Sequence, residues 1–152
     1  MGMAKPIKAG FLLSVLIISA GCAVPTKLST PSGRPEIRIN GVSKDQISNK
    51  IISAMETRGF LLQQSSPYSL VFGRAMEDNM TAKLLYGSRN SPTPEYRIQY
   101  TLAEDSDQMH ILCSLWIVSN PGTPFERRQA MNNTKDAQDM QEALDNLKSS
   151  LE

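Results

Sequence analysis

The chain carries one histidine, one tryptophan and two cysteines in 152 residues. A single histidine leaves little for histidine-based catalysis. Two cysteines cannot build a disulfide-rich scaffold or a four-thiolate zinc site. Charge of one sign is not in excess either, with 16 Lys and Arg against 15 Asp and Glu. A nucleic-acid binder would show a basic surplus, so that partner class is not expected. No apolar run reaches the roughly 20 residues that a membrane-spanning helix needs. Gly-x-Ser-x-Gly, His-Glu-x-x-His and a phosphate-binding Gly-rich loop are all missing, so neither an enzyme nor a cofactor is expected. What remains is ordinary: a hydrophobic share of 40% excludes a wholly disordered chain.

The informative stretch is the start. Lys5 and Lys8 precede an apolar run, Phe11–Ile18, and small residues follow it. A basic start, a short apolar core and a small-residue exit make a secretory signal peptide. The start does not fit N-myristoylation, because Pro6 stands where Ser or Thr is wanted. The exit, Ser19-Ala20-Gly21-Cys22, resembles the lipobox of bacterial lipoproteins. That family prefers Leu where this chain has Ser19. The resemblance implies a lipidated Cys22 thiol, cleavage between Gly21 and Cys22, and then acylation of the new amino group. Small residues let a peptidase approach the backbone, and a thiol is the soft nucleophile that forms a stable thioether. Ala23 stands where an inner-membrane retention signal would place Asp, which implies the outer membrane, facing the periplasm. The competing reading is an ordinary signal cut near Gly21–Ala23 that leaves Cys22 unmodified.

Three regions follow: signal peptide 1–21, lipidated Cys22 with a flexible tether to 35, and one folded domain over 36–152. Ala23–Pro35 is rich in Pro, Ser and Thr, without periodicity. Glu36–Asn40 alternates as a short strand, turned by Asn40-Gly41. Ser43 and Gln46 form a capping box ahead of Ile47, Ile51, Ala54 and Met55, which predicts a helix over 44–58 closed by Gly59. Strands are predicted over 60–64, 68–75, 96–102 and 109–119, with a break at Ser65-Ser66-Pro67. A short helix over 79–86, capped by Asp78, falls among them, followed by a loop over 88–94. A polar connection then runs to Asn133, which caps a last helix with Ala137, Met140, Leu144, Leu147 and Leu151 at spacings of three and four. That spacing covers only about two heptads, so packing on the sheet is preferred to a coiled coil. The expected class is α+β, an antiparallel sheet with helices on one face. This element order resembles the helix-grip modules of some outer-membrane lipoproteins.

The 109–119 strand is apolar on both faces, with Met109, Ile111, Cys113, Leu115 and Ile117 on one and Leu112, Trp116 and Val118 on the other, which places it centrally in the sheet. Cys113 reads as a buried free thiol. His110 and Ser114 share the other face about 13 Å apart, too far for a catalytic pair. Glu104, Asp105 and Asp107 lack the ligand number and the glycine turn of a calcium loop, so they read as a solvated hairpin tip and no metal is expected. Arg127-Arg128 lies in a polar loop. Two Asn-x-Thr matches, at Asn79 and Asn132, are chance in a bacterial lipoprotein. Leu112, Trp116 and Val118 point away from Cys113. If helices cover only one side, they form an apolar patch, a candidate surface for an envelope protein partner. The alternative is that a helix or the 88–94 loop covers them.

The expected function is therefore a membrane-anchored periplasmic lipoprotein acting as an interaction or structural module of the cell envelope. The alternative is a periplasmic binder of a small apolar ligand or lipid, held in a groove between the sheet and a helix.

Overall fold

The computed structural model describes residues 27–77, 85–86 and 92–152. The signal segment, Gly21 and Cys22 lie outside the described residues, as does most of the short helix expected over 79–86 and of the 88–94 loop. Six strands and two long helices are described: β1 (Glu36–Asn40), α1 (Lys44–Thr57), β2 (Leu61–Ser66), β3 (Ser69–Ala75), β4 (Glu95–Asp105), β5 (Gln108–Ser119), β6 (Arg127–Ala130) and α2 (Lys135–Leu151). All pairings are antiparallel, in the order β1-β5-β4-β3-β2, with β6 also on β5. The class is α+β, as the order of apolar patterns implies.

β5 is the centre of the sheet, in keeping with its apolar content. One edge pairs with β4 along nearly its whole length. The other is shared end to end: β1 takes Gln108–Leu112 and β6 takes Trp116–Ser119. Between them, Cys113 N–H donates to Pro35 and Met131 N–H to Leu115, at 2.8 and 3.0 Å. β5 thus leaves few backbone groups unpaired, as a buried strand must.

α1 starts on Ser43, whose hydroxyl accepts from the Gln46 N–H. It ends in a Schellman turn, where Gly59 N–H donates to Glu56 and Phe60 N–H to Met55. Gly59 has φ +78°, the left-handed conformation that closure needs. α2 is capped by the Thr134 hydroxyl, one residue beyond the expected Asn133. Ile47, Ile51 and Met55 of α1 and Met140 and Leu144 of α2 join Phe72, Ile98, Tyr100, Leu102, Ile111 and Cys113 in one core. Both helices therefore cover one face, here called the inner face. Tyr100 meets Phe72 edge to face at a ring separation of 5.9 Å.

Three expectations are revised. β2 runs to Ser66, so Pro67 and Tyr68 form the tight turn, and Tyr68 is 68% exposed while its carbonyl accepts from the Leu102 N–H. β6 occupies part of the stretch expected as a polar connection. All four of its residues are exposed, so no apolar alternation marks it. Part of the expected tether is docked. Leu28 and Pro35 are buried, and Arg34 Nη1 donates to Ser114 Oγ at 3.0 Å.

Candidate functional site

The outer face does not present the open apolar patch that its residue pattern suggests. Leu112 and Trp116 are half-buried, and Val118 is fully buried. The reason is the register. Val118 lies between Glu95 of β4 and Arg128 of β6, and Trp116 lies between Arg97 and Ala130. Long charged side chains at such positions roof the residue between them with their stems. Here the roof is tied down. Arg97 Nε donates to Glu95 at 2.8 Å and its Nη1 to Glu126 at 2.7 Å. Arg128 Nε and the Gly122 N–H also donate to Glu126, and Gln63 Nε2 reaches Glu95. Gln63 sits at the β2 bulge and lies across Gly73, where an added Cβ would meet its amide nitrogen at 2.0 Å. The glycine makes room for this lid.

Arg97 and Glu95 side chains are only 12% exposed and Glu126 20%, so the pairs are well shielded. Burial weakens the Arg97 charge, but its hydrogen bonds to Glu126 and Glu95 outweigh that and raise its pKa. The Arg97 hydrogen bond, then the Gly122 N–H, hold the Glu126 carboxyl down to about 2. A carboxyl depressed on folding stabilises the fold above its unfolded pKa and loses that contribution as pH falls through the folded value. Glu126 therefore contributes fully above about pH 4.5, its ordinary value, and progressively less towards pH 2. Glu126→Gln is expected to lower the urea midpoint at pH 7 and to flatten the acid limb of stability. Equal acid limbs in the two proteins would contradict this role.

His110 stands apart from Ser114, as its spacing predicts. Its Nε2 is 3.5 Å from Glu36 Oε2, an ion-pair distance without hydrogen-bond geometry. Ser114 is engaged by Arg34. Cys113 is free and fully buried, and burial pushes its thiol pKa far up, so it is inert in the folded protein. Asp105 at the hairpin tip makes one exposed contact with Arg38. Among the described residues, no cluster of three metal-ligating side chains occurs, and no helix is long and apolar enough to cross a membrane.

Of the concave features among the described residues, the one flanked by both helices is on the inner face. α1 and α2 run antiparallel across the sheet with a cleft between them. Arg58 stands opposite Asp136–Ala143, and Lys50–Ala54 opposite Ala143–Ser150. The wider end has a volume of about 370 Å³ and a floor of Tyr96, Ile98 and Leu115. The narrower end, about 270 Å³, continues over Tyr100 between Ile51 and Leu147. Arg58, Met140 and Ala143 line both. The apolar stripes of the helices are only partly used up by the core. Ala54 is exposed, and Ala143 and Leu147 are half-buried. The Tyr100 hydroxyl lies beneath, 3.2 Å from the sulfurs of both Met55 and Met140. It has one proton and only weak thioether acceptors.

Charges ring the wider end. The Arg74 guanidinium stacks 4.5 Å from the Phe60 ring centre and 5.7 Å from that of Tyr96, and its Nη1 donates to the Arg58 carbonyl. Asp136 and Asp139 stand on the α2 side. Burial raises the Tyr96 pKa first and Asp136 adds to it, while Arg74 opposes, so both charges act on the floor. Sequence reasoning missed this site because its walls come from residues some 85 apart. The one available signal was Ala143, an apolar position beside the α2 stripe. Comparisons with protein families, with curated proteins and with solved structures find no match to the chain.

Proposed function

We propose that this protein is a lipid-anchored component of the bacterial cell envelope, attached through Cys22. On this reading the domain acts by binding, and the cleft between α1 and α2 holds a small apolar or amphiphilic ligand. The cleft is the observation that carries it. Pockets that hold small ligands are concave, mostly apolar and about 300–1,000 Å³, and the wider end of the cleft alone is about 370 Å³. The sealed Val118 and the ion network weigh against the outer face as the docking surface. Leu28 is buried, so only the short stretch from Cys22 to Leu28 is left as tether. Six residues reach at most about 20 Å, which keeps the domain near the membrane surface.

A protein partner seated in the same cleft is the second reading, favoured by the open length of the α1–α2 seam. Photocrosslinking in intact cells tests the assignment. A photoreactive residue at position 147 is expected to form an adduct, and one at position 112 is not. An adduct from 112 with none from 147 would return the function to the outer face.

A further inference from the structure

The geometry points to a zwitterionic single-chain amphiphile as the occupant of the cleft, its anionic group at Arg74 and Arg58, its cationic group at Asp136, and its tail along the α1–α2 seam. This deepens the binding reading above and rests on it.

The charge arrangement carries the argument. Arg74 and Asp136 line the same end of the cleft. They form no ion pair with each other, and neither Arg58, Arg74 nor Asp136 has a carboxylate or cationic partner within 4 Å among the described residues. Asp139 is different: Lys135 Nζ holds it at 2.6 Å, so its charge is already answered. The cleft thus offers two arginines on one side and one unanswered acid on the other. A purely anionic ligand would meet the arginines but also Asp136, and a purely cationic one the reverse. A head group bearing both signs satisfies both rims.

The cations are also held in place. Arg74 is fixed by two aromatic rings and by its bond to the Arg58 carbonyl, and among the described residues its other N–H groups have no acceptor and can reach a phosphate or carboxylate oxygen. The tail argument is geometric. The two volumes join at Met140 and Ala143. From Arg58 back to Lys50 the helix rises about 12 Å, so the seam is a trench rather than a round pocket. Its sides carry Ile51, Ala54, Leu144 and Leu147, which suit an unbranched apolar chain. A phosphoethanolamine head on one acyl chain combines the three features.

The test uses the full chain in neutral maltoside micelles and a lysophosphatidylethanolamine with a photoreactive group near the end of its tail. After irradiation, adducts are expected on peptides containing Ile51 and Leu147. Unlabelled lysophosphatidylethanolamine should compete at least tenfold better than an alkyl phosphate or an alkylammonium of equal chain length. Arg74→Gln and Asp136→Asn should each reduce labelling at least fivefold, and Ala143→Leu should block it by filling the junction. Circular dichroism checks that each variant is folded. Labelling of the cleft with equal competition by a neutral monoacylglycerol would overturn the zwitterion assignment and leave the cleft as a binding site. Adducts scattered outside the cleft would overturn the proposal entirely, as would a protein-sized adduct from position 147 in cells without lipid labelling. The reading beneath it fails separately, if position 147 forms no adduct in cells.

Discussion

Replacing Phe72 by alanine is expected to lower the stability of the domain by about 3–5 kcal/mol. Phe72 is fully buried in β3, between Leu62 of β2 and Ile98 of β4. Its ring also meets Tyr100 edge to face. Truncation removes the buried ring and leaves a cavity that the surrounding strands, fixed by their ladders, cannot close. Domains of this size are stable by only about 5–15 kcal/mol, so the loss is a large share of the total. Tyr100→Phe is the informative contrast. It keeps the ring and deletes a hydroxyl whose acceptors are two thioethers, so it should cost less than about 1 kcal/mol. Urea unfolding followed by circular dichroism measures both. A loss under about 1 kcal/mol for Phe72→Ala would mean that the inner face is not packed as described.

Cys22→Ser is expected to move the protein from the membrane fraction to the soluble fraction. The argument is one of chain number. A single acyl chain binds a bilayer marginally, at about 0.8 kcal/mol per buried methylene, whereas two or three hold stably. A lipoprotein-type Cys22 would carry three, and serine offers no thiol for the thioether. No helix among the described residues supplies a spanning alternative. The measurement is cell fractionation with immunodetection. Retention of the serine variant in membranes after a carbonate wash would show that something other than Cys22 holds it there.

Much of the fold was legible because local chemistry and tertiary packing agree there. Ser43 and Gln46 mark the α1 start, and Gly59 its end, by groups that act within a few residues. β5 could be placed centrally because Met109 through Val118 is apolar on both faces. β6 was illegible for the opposite reason, since Arg127–Ala130 is exposed and only its pairing with β5 makes it a strand. Leu112, Trp116 and Val118 were correctly set on the face opposite Cys113, but the residues that close over them arrive from other strands. Glu95-x-Arg97 and Glu126-x-Arg128 share an acid-x-base spacing, and only the β4–β5–β6 register brings the two together. The cleft was harder still, because it is a gap between α1 and α2, and spacing along one helix says nothing of the distance to another.

The anchor is the central claim, because a domain held near a membrane is what gives an amphiphile access to its cleft. Mass spectrometry of the N-terminal peptide of the protein extracted from bacterial membranes is the most direct measurement. The expected result is a chain that begins at Cys22, with a diacylglyceryl group on the sulfur and an acyl group on the amine. An unmodified Cys22 thiol, or a chain that begins at any other residue, would contradict it.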